Sequence, residues 1–344
     1  MNADDELKNF IHGPPPPPPK FDPMQTHLAQ EHKHPSPLLG CRFDPAGAYV
    51  FAGAQDNSIQ RWTLADGKKT TLAGHQSWVR ALAFQEKLLF SGDYAGKILC
   101  WNLDAETPTP VRTLDAHEGW VRALAGSPDG KLLASCGNDN LVKLWTLDGK
   151  PVRQFVGHAR HVYNVAFHPD GQQLASCDLL GSVKHWEVAT GKLVRDLDAS
   201  VLHKYDNTFR ASIGGARSMM FNKDGTQLAL AGITNVSNAF AGVGNPAVVL
   251  FDWASAKRLH LLQPAQAFQG TMWGVVQHPE GVWIGAGGGS GGALWFWKAD
   301  QDKAFHTVKL PANGRDVSLH PNGMRLAVPH ADGAMRFYDM TRKL

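Results

Sequence analysis

Short runs of alternating apolar and polar residues, separated by tight turns, occupy most of this chain. From Gly74 to Trp101 the sequence reads GHQSWVRALAFQEKLLFSGDYAGKILCW, and the same order recurs over 116–145 and 157–186. Each segment has a histidine, an alternating apolar run, a turn, a small-residue run with serine, a second turn and a final run ending in tryptophan. This order predicts three short strands joined by tight turns.

The unit recurs at a regular spacing along the sequence. Aromatic residues close successive units at intervals of 39, 44, 41, 65, 46 and 41 residues. The seven closing residues are Trp62, Trp101, Trp145, Trp186, Phe251, Trp297 and Tyr338. A period near 40 residues with several short strands per unit is typical of propeller blades.

The GH…W pattern resembles the WD-repeat (WD40) family over about residues 24–344, strongly in units two to four and weakly in units five and six. The resemblance implies an all-β fold, a seven-bladed β-propeller of four-stranded antiparallel blades. After Tyr338 only DMTRKL remains, which is too short for the outer strand of the last blade. We therefore expect MQTHLAQEH at 24–32 to pair with that blade and close the ring, as is common in the family.

Residues 1–23 are expected to form a disordered, proline-rich tail before the propeller of residues 24–344. The tract Pro14–Pro19 favours polyproline II, either as a stiff spacer or as a ligand for an aromatic groove. The longest uncharged run, 227–251, contains asparagine, glycine and proline. It is predicted to be a polar loop rather than a membrane span.

Composition narrows the classes of function. The chain has 34 Lys and Arg against 31 Asp and Glu, so its overall charge favours neither nucleic acid nor an anionic membrane. An acidic N-terminus without a basic and apolar leader predicts a cytoplasmic protein. The four cysteines are far apart and are expected to be buried, reduced thiols: Cys41, Cys100, Cys136 and Cys177.

His117, Ser135 and Asp139 are the residue types of a hydrolase triad. By resemblance, these three residues and Trp145 match the structural hydrogen-bonded tetrad of WD repeats, which stabilises a blade. The other units vary at the matching positions, with Ala52 for serine in unit one and Ala95 and Leu180 for aspartate in units two and four. This variation favours architecture over catalysis, and no catalytic residue is expected.

Two further patterns could indicate ligand sites. His27, His32 and His34 lie close together, but no second ligand cluster follows them, so no metal site is expected. The segment GAGGGSGG at 285–292 lacks the lysine and the helix of a phosphate-binding loop. We expect an elaborated turn there, and no cofactor.

In a propeller, the connections between blades and the turns between second and third strands emerge on one face, here called the top face. Both long insertions of unit five, 203–215 and 233–245, belong to this face, and long loops on a rigid scaffold often bind ligands. Aligning the inner strands at a position that tends to face the top mouth gives Leu39, Arg80, Arg122, Tyr163, Arg217, Trp273 and Arg315. The residues two positions before Arg80, Arg122 and Tyr163 are Trp78, Trp120 and His161.

Two interpretations fit this ring of residues. The arginines could stack on aromatic rings and pair with acids such as Glu118 and Asp316, which would stiffen the rim. Alternatively, their guanidinium groups could bind an acidic, phosphorylated or carboxylate-bearing segment.

We expect a non-catalytic interaction scaffold whose top face binds a peptide or protein partner of acidic character. The alternatives are a small-ligand or nucleic-acid sensor that uses the same cationic mouth, and a propeller hydrolase. The residues expected to contact the partner are Arg80, Arg122, Arg217, Arg315, Trp78, Trp120, Tyr163, His161 and Trp273.

Overall fold

The computed structural model of the protein describes residues 19–238, 243–289 and 291–343. The described residues form β-strands and two short 3-10 turns, Pro23–Gln25 and Ser200–Leu202. The strands of the first part of the chain are β1 His27–Lys33, β2 Leu38–Phe43, β3 Tyr49–Ala54, β4 Ile59–Thr63, β5 Lys69–Leu72, β6 Val79–Gln85, β7 Leu88–Asp93, β8 Lys97–Asn102, β9 Pro110–Asp115, β10 Val121–Gly126, β11 Leu132–Gly137, β12 Val142–Thr146 and β13 Pro151–Phe155.

The second part of the chain continues the same alternation of strands and turns. Its strands are β14 Val162–Phe167, β15 Gln173–Asp178, β16 Ser182–Glu187, β17 Leu193–Asp198, β18 His203–Asp206, β19 Ala211–Gly214, β20 Ser218–Phe221, β21 Gln227–Asn238, β22 Val243–Asp252, β23 Arg258–Leu262, β24 Gly270–Gln277, β25 Trp283–Gly289, β26 Gly292–Trp297, β27 His306–Leu310, β28 Ser318–Leu319, β29 Arg325–Pro329 and β30 Ala334–Asp339. None of the described helices is long and apolar enough to span a membrane.

Seven four-stranded antiparallel sheets form the blades. Six of them pair consecutive strands, beginning with β2–β5 and ending with β24–β27, and the seventh has the order β1, β30, β29, β28. The first strands of neighbouring blades contact each other, and β28 lies against both β24 and β2. The blades therefore form a closed ring, and the predicted seven-bladed propeller is confirmed.

The N-terminal strand closes the ring, as predicted. β1 pairs with β30 from His27 opposite Asp339 to Lys33 opposite Ala334. Nε of Arg336 on β30 donates to Glu31 of β1 at 2.7 Å, and a second guanidinium nitrogen donates to Asp332. This pairing removes a free sheet edge, which would otherwise be a site of aggregation.

The chain contacts the propeller just before β1. The ring of Phe21 stacks on His278 with 3.5 Å between ring centres, and the amide of Asp22 donates to the carbonyl of Met340 at 2.8 Å. These two residues belong to the segment expected to form the tail. Residues 1–18, with most of the proline tract, lie outside the described residues.

Glycines on the second strands of blades one and two let neighbouring blades approach closely. Gly53 and Gly92 lie on β3 and β7, and a Cβ atom on either would meet Val79 or Val121 of the next blade within 2.5 Å or less. Large aromatic residues fill the spaces further out, and Trp62, Trp101 and Trp186 are at most 2% exposed.

The four cysteines are buried and free, as expected.

Histidines at the turns between first and second strands join neighbouring blades. Nδ1 of His320 accepts from the amide of Asn322 at 3.1 Å, and Nε2 lies 3.0 Å from the carbonyl of Gly47 in the next blade. His168 makes the same contact with Gly225 at 3.1 Å. Since Nδ1 accepts from a backbone amide in both turns, Nε2 carries the proton and donates to the carbonyl of the next blade.

The predicted polar loop over 227–251 is wrong. β21 and β22 form a long hairpin there, and residues 203–214 fold into the β18–β19 hairpin. Ile213, Ile233 and Val236 are at most 6% exposed and pack together between the two hairpins. Alternating β-branched residues therefore make both insertions of unit five a packed extension of the top face.

The Gly-rich segment is also more regular than predicted. Its first five residues, 285–289, belong to β25, and β26 begins at Gly292, so the turn expected over 285–292 is confined to the end of the segment. A Cβ atom at Gly287 would collide with the carbonyl of Thr271, and one at Gly288 with Asn313. Glycine is needed here because neighbouring strands approach closely.

His330 is a fully buried histidine in blade seven. Its Nδ1 lies 2.8 Å from the carbonyl of Ala312, and the side chain is 0% exposed. Burial, together with the nearby Arg336, lowers the pKa of His330 to about 4. The fold therefore favours the neutral ring.

We expect removal of residues 1–33 to cause aggregation or a large fall in melting temperature, because it deletes β1 and exposes β30. Removal of residues 1–20 retains β1 and should melt like the full chain. Thermal melts and size-exclusion chromatography of both truncations test this expectation. Equal melting temperatures would contradict it.

We expect the free energy of unfolding to decrease as the pH is lowered, because His330 becomes protonated. Its pKa in the fold lies below the ordinary value of 6.5, so its contribution is fully present above about pH 6.5 and is lost towards pH 4. The shift corresponds to about 3 kcal/mol. Urea unfolding across this range should show a shallower pH dependence for His330→Gln than for the wild type, and identical slopes would contradict the assignment.

Candidate functional site

The triad-like residues of blade three form a buried hydrogen-bonded chain. Nδ1 of His117 lies 2.8 Å from Asp139, and its Nε2 lies 2.8 Å from Oγ of Ser135. The indole nitrogen of Trp145 donates to the same Ser135 oxygen at 2.9 Å. Ser135 is 0% exposed, so its hydroxyl is occupied on both sides and inaccessible to a substrate.

The charges in this chain favour a fixed arrangement. Burial raises the pKa of Asp139, but hydrogen bonds from His117 and Lys143 outweigh it and lower the pKa to about 2. Burial lowers the pKa of His117 and outweighs the opposing effect of Asp139. An ionised carboxylate therefore holds a neutral imidazole, which accepts the Ser135 proton.

Blades two and four contain the same chain of hydrogen bonds. In blade two, His75 contacts Ser91 at 2.6 Å and Asp93 at 2.8 Å. In blade four, His158 makes the matching contacts with Ser176 and Asp178. The expectation that these blades lack the carboxylate, based on Ala95 and Leu180, is wrong. In both blades the carboxylate belongs to the last residue of the second strand, two positions before Ala95 or Leu180: Asp93 in blade two and Asp178 in blade four.

The histidines near the N-terminus have separate partners. His34 contacts Asp56 at 2.7 Å, His27 contacts the carbonyl of Gln25, and His32 packs against Trp62. Within the described ranges, no group of three or more histidine, cysteine or acidic side chains is arranged to hold a metal ion.

We expect Asp139→Ala to lower the free energy of unfolding by about 1–3 kcal/mol, because it leaves buried His117 without its partner. Chemical denaturation measures the change, and the exposed Asp300→Ala provides a control that should be nearly silent. Labelling of Ser135 by an active-serine probe would contradict the structural role.

Six side chains from the inner strands converge on the top mouth and are here called the arginine–aromatic cluster. Arg80 and Arg122 come from β6 and β10, and the ring of Tyr163 comes from β14. The remaining members come from or lie beside the inner strands of blades five, six and seven: Arg217, Trp273 and Arg315. The sequence alignment had placed all six at one structural position.

Guanidinium groups and rings alternate within this cluster. Arg122 lies 4.2 Å from the ring centre of Trp120 and 4.3 Å from that of Tyr163. Arg217 lies 5.2 Å from both Tyr163 and Trp273. Arg80 and Arg315 lie over Trp273 at 5.4 and 4.9 Å. These distances are within the range of cation–π attraction.

Carboxylates do not neutralise the cluster. Among the described residues, no acidic side chain forms an ion pair with any of the four arginines. Asp316 instead accepts from Arg42 at 2.8 Å and from two backbone amides. The stacking proposed from the sequence is therefore present, but the acid pairing is not. Arg42 was missed, although a single arginine within the apolar run LLGCRF signals a special environment.

Burial and mutual repulsion act on the same guanidinium groups. Burial lowers the pKa of Arg217, with a further contribution from Arg80. Burial also lowers the pKa of Arg315, to which Arg80 and Arg217 add. The Nε atoms of Arg217 and Arg315 are buried and have no hydrogen-bond partner within the described part of the chain.

The central channel begins below the cluster. A cavity of about 70 Å³ is lined by Arg80, Arg122 and Arg217, with Arg42 and Asp316 among its other lining residues. Arg80 also donates to the carbonyl of Leu39 at 3.2 Å. A second nitrogen of Arg80 donates to the carbonyl of Arg217 at 3.5 Å, so the partners that Arg80 has among the described residues are backbone oxygens at the edge of a small polar space.

An aromatic ledge adjoins the cluster and consists of Trp78, Tyr94 and Trp120. Tyr94 stacks on Trp120 with 3.9 Å between ring centres, and Trp78 lies 5.8 Å from Tyr94. Trp78 is 43% exposed and Trp120 is 36% exposed. Tyr94 was not selected from the sequence, although an aromatic residue in the turn DYAG was a usable signal.

His161 and the blade-five extension border the same mouth. Nδ1 of His161 contacts the carbonyl of Asn138 at 2.7 Å, and the Asn138 side chain accepts from Nε of Arg122 at 2.7 Å. Gly215, which follows the β18–β19 hairpin, lies beside the ring of Tyr163. His161 therefore supports the cluster through Asn138 rather than contacting it.

Comparison with known proteins identifies the repeats. The family model "WD domain, G-beta repeat" matches residues 25–63, 67–102, 108–146 and 149–187. The fold and the mouth thus define a seven-bladed propeller with a cationic top face. Four WD repeats, which cover just under half of the chain, therefore lie within this propeller.

Several curated proteins resemble part of the chain. "Cell division cycle 20.1, cofactor of APC complex" from Arabidopsis thaliana is 31% identical over 123 residues, which cover 35% of this chain and 26% of that protein. "WD repeat-containing protein srw1" from Schizosaccharomyces pombe is 32% identical over 31% of this chain and 19% of its own length. "Nuclear distribution protein PAC1" from Arthroderma otae is 33% identical over 23% of this chain and 18% of its own length. The similarity thus spans about a quarter or less of each relative.

Proposed function

We propose that this protein is a non-catalytic interaction scaffold whose top face binds an acidic segment of a partner protein. The observation that carries the proposal is the convergence of four arginines on one mouth, where none of them forms an ion pair with a described acidic side chain. Like charges held together in a partly buried site are costly unless a ligand of opposite charge can meet them.

The relatives support a role in protein assemblies. The Arabidopsis protein is named as a cofactor of the APC complex, which is a function within a multiprotein assembly. The buried, doubly hydrogen-bonded Ser135 of our chain supports a non-catalytic role, because a nucleophile must reach its substrate.

The cluster and the ledge suit a peptide better than a flat protein surface. Charge-assisted hydrogen bonds from guanidinium groups to carboxylates contribute about 1.5–3 kcal/mol each. Exposed Trp78 and Trp120 offer apolar area beside those charges, and tryptophan, tyrosine and arginine dominate binding hot spots. A segment with acidic and apolar side chains would use both features.

We expect the double variant Arg80→Glu, Arg122→Glu to lose binding of a fluorescent acidic peptide by at least a hundredfold, because two favourable contacts become repulsive. Fluorescence anisotropy measures the affinity, and added salt should weaken wild-type binding. A thermal melt checks that the fold is retained.

A matched control changes the same charge elsewhere on the top face. Arg160 and Lys204 are exposed and lie outside the cluster, so Arg160→Glu, Lys204→Glu should bind almost normally. Equal losses in both double variants would indicate a general charge effect and contradict a defined site. Preferential retention of single-stranded nucleic acid at physiological salt would favour the nucleic-acid alternative instead.

A further inference from the structure

We infer that a groove between blades one and two, on the face opposite the top face, is a polyproline-binding site that holds the chain's own prolines 14–18. This groove is here called the aromatic groove, and Tyr49, Phe84 and Leu103 line it. The inference goes beyond the proposed function, because it concerns the other face of the propeller. It follows from the path of the chain before β1, the lining of the groove and the chemistry of proline.

The described chain before β1 leads towards this groove. Phe21 stacks on His278 at the first turn of blade six. Two residues earlier, Pro19 lines a cavity of about 330 Å³ together with Gly47 and Leu64 of blade one. Residues from the first turn of blade seven line the same cavity. Followed towards its N-terminus, the chain therefore passes blade seven and reaches blade one.

A single turn lies between the cavity at Pro19 and the aromatic groove. Gly47, the last residue of the turn DPAG at 44–47, lines the cavity, whereas Asp44, Pro45 and Ala46 line the groove. The ends of such a turn are less than about 7 Å apart. Polyproline II advances about 3.1 Å per residue, so the five prolines before Pro19 would span about 15 Å. The tract is long enough to pass the turn and lie in the groove.

The walls of the groove suit proline rings. Tyr49 and Phe84 are half-buried, so part of each ring faces the groove. Phe84 packs edge-on against Phe51 with 5.4 Å between ring centres, and the guanidinium group of Arg61 lies 5.0 Å from the ring centre of Tyr49. These contacts hold both rings in place. Aromatic walls of this kind bind polyproline II segments, which are already ordered before they dock.

The charged groups of the groove favour an uncharged ligand. Asp44 accepts from the amide of Tyr49 at 2.6 Å and from that of Ala46 at 3.3 Å. At the rim, Nζ of Lys87 lies 4.0 Å from a carboxylate oxygen of Asp104. A charged ligand would compete with these contacts. Proline has neither a charge nor an N–H group, so it leaves them intact.

A second groove on the same face shows what distinguishes this one. The cavity between blades three and four measures about 580 Å³, and Gln172, Gln173 and Glu187 are among its lining residues. Among the described residues that line it, none is a phenylalanine, tyrosine or tryptophan. It is the larger space, but it lacks the aromatic walls. The tract is also tethered beside the aromatic groove, where a short link gives an effective concentration of about millimolar.

Fluorine NMR of the full chain labelled with fluorotyrosine tests the inference. The chain has five tyrosines, and Tyr49→Phe assigns the resonance that reports on the groove. The variant Pro14→Ser, Pro16→Ser, Pro18→Ser interrupts the polyproline tract and should shift the Tyr49 resonance alone. A peptide of residues 13–20 should reverse that shift in the variant. It should leave the wild type unchanged, because the tethered tract outcompetes it.

Matched controls connect the shift to the prolines and to the groove. Asp4→Ser, Asp5→Ser, Glu6→Ser changes as many residues before the tract and should keep the wild-type spectrum. Added to the proline variant, Leu103→Ser removes an apolar wall and should weaken the response of Tyr49 to the peptide. Val194→Ser changes an exposed residue of the groove between blades three and four, so it should keep that response.

Each remaining outcome would overturn the inference. Identical Tyr49 resonances in the wild type and the proline variant would show that the groove does not hold the tract. A wild-type resonance that moves to the variant's position on about tenfold dilution would assign the bound tract to a second copy of the chain. A shift of all five tyrosines would indicate a changed fold instead of docking. The readout is local, so it detects docking too weak to change the melting temperature.

Discussion

Ring closure is the constraint on which the remaining structure depends. The pairing of β1 with β30 joins segments that are about 300 residues apart, with the Arg336–Glu31 bond spanning 305 residues. Closing so long a loop has an entropic cost that grows slowly with length and is offset only when the last edge pairs. The mouth is a product of this closure, because Arg80 and Arg315 approach the same tryptophan from blades two and seven. An open ring would separate them.

Within the closed ring, stacking compensates for a crowding of like charges. Arg122 lies near a ring of its own blade and one of the next, and Arg217 lies near rings of both neighbouring blades, so attraction to the rings opposes the repulsion among guanidinium groups. The alternation of arginine with Tyr163 and Trp273 places a ring between successive charges. A preorganised cationic mouth would lose little side-chain entropy on binding the proposed partner.

The repeat pattern was sufficient to predict the blades, the closing strand and the convergence of the arginines, because each depends on a period that is visible along the chain. The sequence was less informative where a contact depends on how far a side chain extends rather than on the position of its residue in the repeat. Asp93 serves the same role as Asp139 from a strand end instead of a turn, and Asp316 pairs with Arg42 rather than the cluster. Likewise, the alternating residues around Ile233 were obscured by neighbouring asparagines and glycines, so a hairpin was predicted to be a loop.

The turn histidines have a consequence for how the repeats can change. His320 and His168 each donate to the turn glycine of the following blade, and these glycines have φ angles of +70° and +75°. A Cβ atom on either glycine would also lie within 3.0 Å of the imidazole. A substitution of the turn glycine in one blade is thus restricted by the histidine of the preceding blade. At these two junctions the histidine of one blade and the turn glycine of the next are expected to change together, and a repeat exchanged without its successor would lose the bond between them.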